Sequence, residues 1–255
     1  MIALGPHGYV MPAPLASWKP RLRKLPGFRA ARFLVNLVKS QESRNAALLQ
    51  LRPPRGLYQP YGTTSPDRYP EVFSQVRRQV EDGAAVRILS FGCSTGEEIF
   101  SLRRYFPEAY LAGLDINPLN ISACRSRVRK KADGRTVFAV AGSTAGEASA
   151  SYDVVFAMAV FRHGHLNIAP PPSRCDQEIR FADFEQSVAD LARVLKPGGL
   201  LAIGNAMFRF CDTRVAQDFE AVFAMKTGER APLYGRDNCL LPEAEYPDLI
   251  FRKLR

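Results

Sequence analysis

Five short, mostly apolar runs alternate with stretches of helical pattern along this chain: "VRILSF", "AYLAGLDI", "TVFAVAG", "YDVVFAMAV" and "LLAIGN". A strand that is apolar on both faces has to be covered on both sides. Strands separated by helices run parallel, because each helix carries the chain back along the sheet. The pattern therefore predicts an α/β fold with a mostly parallel sheet and helices on both faces. Two further strand-like runs, "FEAVFAMK" and "DLIFRKL", close the chain. The link between them is too irregular for a crossover helix, which predicts an antiparallel hairpin at the sheet edge. Ligands of such sheets bind beyond the carboxyl ends of the strands. That brings residues 92–98, 115–117, 142–144 and 157–165 around one crevice.

Helix signals fill the gaps. Ser65 and Pro66 read as cap and first turn of a helix in which Val72, Val76 and Val80 repeat every four residues, with Gly83 at its end. A helix over about 96–106 follows the first strand. Asn117 and Pro118 open another that runs to about Lys130. The longest spans about 176–195, with Phe181, Phe184, Val188, Leu191 and Leu195 on one stripe, and "KPGG" ends it.

The formal charge is +10, and it is clustered. Residues 19–44 hold Lys19, Arg21, Arg23, Lys24, Arg29, Arg32, Lys39 and Arg44 against a single acid, Glu42. "CRSRVRKK" and the terminal "FRKLR" are basic too. Such patches either attract acidic protein or RNA or are simply solvated surface. Residues 1–60 read as a basic, partly helical N-terminal extension, and 61–255 as the ligand-binding domain. The five cysteines are scattered, with no CxxC pair, so neither disulfides nor a metal site is expected. The first residues lack the pattern of a signal peptide, and no apolar run is long enough to span a bilayer. A cytoplasmic protein without membrane insertion is expected.

The loop "SFGCSTGEE" limits the ligand. It lacks the lysine of a phosphate-cradling P-loop and the GxGxxG of a dinucleotide site. Asp115, ending the second strand, is placed to accept ribose hydroxyls. The ligand therefore has a ribose and need not have a pyrophosphate. At this point the order "ILSFGCSTGEE … AGLDINPLN … YDVVFAMAV … LARVLKPGGLLAIGN" resembles the class I methyltransferases that use S-adenosyl-L-methionine. The glycine loop is most similar to that of the chemotaxis-receptor (protein-glutamate) methyltransferases.

The resemblance, over about residues 65–255, implies a Rossmann-like seven-stranded sheet with an antiparallel last strand. It also implies S-adenosylmethionine as cofactor. Gly92 and Gly96 would let backbone approach the methionine portion, with Cys93, Ser94 and Thr95 as small polar contacts. Asp115 would hold the ribose diol and Ile116 would face the adenine. Ser143 stands where the family often has an acid. Met158, past the fourth strand, would lie near the methyl group. Glu98 fits a helix capping box and Glu97 the cofactor's amino end. Tyr58 and Tyr61 precede the first core helix, where the family often has a lid. They could face the sulfonium by cation–π attraction or pack the connector onto the core. Asp153 reads as structural.

"MAVFRHGHLN" would face the acceptor. His163 and His165 are candidate general bases and Arg162 a candidate for holding an acidic acceptor, against the plainer reading that they are exposed loop residues. The chemotaxis enzymes differ here, with an asparagine and a tyrosine, and have a "GHSE"-like run in place of "IGNAM". Four functions follow. The leading one is methyl transfer to O or N of a small-molecule acceptor. The others are methylation of protein or RNA steered by the basic N-terminus, consumption of the cofactor by cyclisation with release of methylthioadenosine, and binding without turnover.

Overall fold

The computed structural model of the chain describes residues 49, 54, 56–59, 62, 64–225, 231–242 and 244–255. The helices expected in the basic extension, and Tyr61, lie outside them. Seven strands form one sheet: β1 Arg87–Phe91, β2 Tyr110–Asp115, β3 Thr136–Val140, β4 Tyr152–Met158, β5 Leu195–Gly204, β6 Phe219–Ala224 and β7 Asp248–Lys253. Their spatial order is β3-β2-β1-β4-β5-β7-β6. Pairs β1–β2, β1–β4, β2–β3 and β4–β5 are parallel. β7 runs antiparallel between β5 and β6. This is the expected Rossmann-like sheet with its closing hairpin. The hairpin does not simply extend the edge, because β7 inserts beside β5 and leaves β6 outermost.

Alternate strand residues face opposite layers. Leu89, Phe91, Val155, Ala157, Leu201 and Ile203 join one buried cluster with the apolar stripe of α4 (Phe181–Val194). Ile88, Leu111, Val154, Phe156, Leu200 and Ala202 join the other, beneath α1 (Pro70–Gln79), α2 (Glu97–Tyr105) and α3 (Pro118–Lys131). Each buried Leu, Ile, Val or Phe side chain contributes about 1.5–3 kcal/mol, so the two layers together hold the sheet flat between them.

Three boundaries differ from the sequence reading, each for a local reason. α1 begins at Pro70, not Pro66: residues 66–68 turn first, and Asp67, at φ +51°, donates its N–H to Ser101 Oγ (2.8 Å) and accepts from the Tyr105 hydroxyl on its Oδ1 (3.2 Å). α4 begins at Phe181, because the backbone N–H of Phe181 is claimed by Asn238 Oδ1 at 2.7 Å. "KPGG" is a bulge within β5, between the Tyr152–Leu195 and Val154–Leu200 pairs. The Asn117 cap is as expected, with its Oδ1 accepting from Leu119 N at 3.0 Å.

Asp153 is structural. It accepts from Arg87 N (2.9 Å) and pairs with Lys196 Nζ (2.8 Å). Two of the basic clusters are absorbed by the fold as well. Arg125 donates to Phe138 O, Lys253 to Ala192 O and Leu195 O, and Arg255 pairs with Asp218. All five cysteines are free thiols, and Cys93, Cys124 and Cys175 are buried.

Candidate functional site

β1 and β4 are neighbours in the sheet, and the chain leaves them in opposite directions along it, to β2 and to β5. Ligands bind at such a switch point. A cleft lies there, lined by parts of all four segments expected around it: residues 92–94 and 98, 115–117, 142 and 158–160.

Gly92 turns out of β1 at φ +74°. A Cβ there would sit 2.6 Å from Val160 Cγ2, so the crossing of the two strand ends requires glycine. Gly92 and Cys93 both donate to Leu114 O, which ties the loop to β2. Asp115 completes the loop. Its Oδ2 accepts from Ser94 N (2.8 Å) and its Oδ1 from Asn117 N (2.8 Å) and Asn120 Nδ2 (3.2 Å). Burial raises this carboxyl above the usual range, and the three hydrogen bonds oppose the rise. Asp115 therefore joins two loops before it meets any ligand.

The two glutamates divide otherwise than the sequence suggested. Gly96, at φ +88°, is the N-cap of α2 and makes no side-chain cap bond, so the capping box does not form. Glu98 points to the cleft and accepts from the buried Ser90 hydroxyl at 2.7 Å. Burial pushes its carboxyl up to about 7, although Ser90 and Arg68 pull it down. Glu97 turns away to Arg127, whose guanidinium also caps Thr95 O and lies 4.0 Å from the centre of the Phe100 ring.

Other candidates scatter. Gly92, Cys93, Ser94, Asp115, Ile116 and Met158 line the cleft; Thr95, Gly96, Glu97 and Ser143 do not. Ser143 is exposed and its Oγ accepts from Ala145 N. Tyr61 is outside the described residues. Tyr58 touches the cleft with part of its surface, but its hydroxyl is held by Asp183 O (2.6 Å) and Ser187 Oγ (2.7 Å), and its ring packs edge-on to Phe161. It packs the connector onto the core.

Arg162, His163 and His165 are not on this cleft. Arg162 lines a second cavity with Asn205, Ile168, Leu233 and Leu241. His163 is buried, and its Nδ1 lies 3.4 Å from Glu178 Oε2. Burial holds its imidazole below the usual range, outweighing Glu178, and His165 adds to the lowering. His165 Nδ1 is 3.2 Å from Glu178 Oε1.

Sequence reasoning missed Arg68, Tyr69, Asn120 and Asn205. The Tyr69 hydroxyl and Asn205 Oδ1 are buried without a hydrogen-bond partner among the described residues. Tyr69 lines the first cleft and Asn205 the second cavity, and each lies close enough to influence the other. Glu98 and Arg162 also act on Tyr69, whose hydroxyl burial raises. No periodicity or motif marks these positions.

The fold and the cleft place a ligand site at the switch of a doubly wound sheet. Residues 89–203, a little under half of the chain, match the model of a family described as "Methyltransferase domain", so this segment is similar to a methyltransferase domain. Solved structures similar to it include the YcgJ protein of Bacillus subtilis, at 18% identity, 53% of this chain, 50% of that chain and a TM-score of 0.40. Another is geranyl diphosphate C-methyltransferase of Streptomyces coelicolor A3(2), at 12% identity, 55% and 47% coverage and a TM-score of 0.41. A third is phosphoethanolamine N-methyltransferase 2 of Haemonchus contortus, at 19% identity, 68% and 34% coverage and a TM-score of 0.42. The chain spans half or less of the length of these three. A comparison with curated proteins found no match. Among the described residues no helix is long and apolar enough to cross a membrane.

Proposed function

We propose that this protein transfers the methyl group of S-adenosylmethionine to an oxygen or nitrogen of a small-molecule acceptor. The observation that carries the reading is the cleft at the β1–β4 switch, which presents Glu98, Arg68 and Asp115 together. An amino-acid end has one ammonium and one carboxylate, and Glu98 and Arg68 match them in sign. Asp115 keeps lone pairs for a ribose diol beside its three structural bonds. Ile116 offers an apolar face to the base. When bound, the cofactor supplies a methyl group on a sulfonium, activated for in-line displacement by the acceptor's lone pair.

The remaining work falls to this chain's own residues. Gly92 lets the strand end approach the ligand without a side chain in the way. Met158 and Val160 exclude water from the reacting face. Tyr69 on the first cleft and Asn205 on the second cavity would orient the acceptor. Arg162, with Ile168, Leu233 and Leu241 around it, favours an acceptor with an acidic group on an apolar body. Neither histidine lines either cavity, so the proposal gives them no part in proton transfer.

Two further readings are kept for stated reasons. The basic residues of the N-terminal extension favour a macromolecular acceptor, protein or RNA, and a protein glutamate would extend the likeness of the glycine loop to chemotaxis-receptor methyltransferases. The sulfonium also permits cyclisation without methyl transfer. The test is incubation with S-adenosylmethionine, with and without a panel of small acidic acceptors, read by mass spectrometry. S-adenosylhomocysteine appearing only with an acceptor, and a methylated product beside it, is expected. Methylthioadenosine from cofactor alone would overturn the proposal.

A further inference from the structure

We propose that His163, His165 and Glu178 form a binding site for a divalent transition-metal ion of the zinc type. Two of the chain's three histidines meet here, on one carboxylate. One ligand atom from each of the three residues can be chosen so that all lie within 4.8 Å of one another. His163 Nδ1 lies 3.4 Å from Glu178 Oε2 and His165 Nδ1 lies 3.2 Å from Glu178 Oε1, so the two imidazoles approach different oxygens of one carboxylate. Ligand atoms about 2.0–2.1 Å from a tetrahedral ion are separated by about 3.3–3.4 Å. The ion would replace the hydrogen bond that His163 Nδ1 accepts from the His165 backbone N–H at 3.4 Å.

The donor set is two imidazoles and one carboxylate. That suits zinc, cobalt or nickel and not the all-oxygen preference of magnesium or calcium. The supports are local and specific. His163 is anchored from below, with its N–H on Met207 Sδ and its side chain 10% exposed. The 3-10 turn Gly164–Leu166 follows His163 directly, and the two imidazoles meet edge to face with centroids 4.8 Å apart. Glu178 is fixed from a second segment, its N–H bonded to Cys175 O just before α4. His165 and Glu178 are 47% and 35% exposed, which leaves the ion a path from solvent and a coordination position for water. A plain surface ion pair would need one histidine, and would be worth about 0–1 kcal/mol. Arg162 and Ile168 flank the cluster in sequence and line the second cavity, so an ion here would pin that wall to the start of α4.

The experiment uses the untagged full-length protein, freed of metal with a chelator and titrated with Zn²⁺ against a chromophoric competitor near neutral pH. H165N and E178Q change exposed side chains, and circular dichroism checks that both fold. A C211S/C239S variant removes the two thiols that are not buried. The expected result is one ion per chain for the wild-type and cysteine variants, with affinity lower by about a hundredfold or more in both H165N and E178Q, since even outer partners of metal ligands are worth ten- to a hundredfold. Affinity should also fall in acid, since a protonated imidazole cannot ligate. No micromolar binding by the wild type, or loss of binding in only one or neither of the two variants, would overturn the site.

Discussion

Glu98 shows how much a single side chain can change meaning once its neighbours are known. In sequence it completes a capping box; in the fold it is a buried carboxylate on Ser90, facing the cleft. Its carboxyl is raised from 4.5 to about 7, so the folded protein holds that proton more tightly than the unfolded chain. The associated stability is full below about 4.5 and is lost as the pH climbs through about 7. Glutamine cannot titrate, and E98Q should flatten the fall in melting temperature across that window. An unchanged slope in E98Q would show that another group is responsible. In the proposed function Glu98 faces the cofactor's ammonium, so the same substitution should weaken S-adenosylmethionine binding by roughly ten- to a hundredfold, measured by calorimetry. Asp115 was legible from its place at the end of a strand. Glu97 was not, because its partner Arg127 is thirty positions away.

At the scale of elements, the site depends on how closely the ends of β1 and β4 cross. Gly92 carries φ +74° and has Val160 in the space its Cβ would take. G92A should therefore cost about 1–3 kcal/mol, part backbone strain and part clash. V160A relieves only the clash, so the cost of G92A should be smaller in a V160A background, as read by urea denaturation in a double-mutant cycle. Equal costs in both backgrounds would mean that Val160 is not the obstacle. The strand pattern and the α4 stripe were readable because burial on two faces and on one stripe leaves a periodic trace. The helix starts were less so: Pro66 and Asp176 looked like openings, but Ser101 and Asn238, from other elements, hold the backbone of residues 67 and 181.

For the molecule as a whole, Tyr69 lines the first cleft and Asn205 the second cavity, and the basic extension lies apart from the sheet in sequence. Removal of residues 1–45 should leave turnover of a small acceptor unchanged. If the acceptor is protein or RNA, the same truncation should abolish activity, and that outcome would reverse the proposed order of the readings. The sequence by itself determined the α/β layering, the order of motifs, the glycine loop and the acid that ends the second strand, because each leaves its mark within one element or one turn. The tertiary structure alone decided the insertion of β7 beside β5, the turning of Glu98 to the cleft and of Glu97 to Arg127, and the approach of Asn205 to Tyr69. It also gathered His163, His165 and Glu178. Those are contacts between residues far apart in the chain, and they follow from packing in three dimensions, which no local pattern encodes.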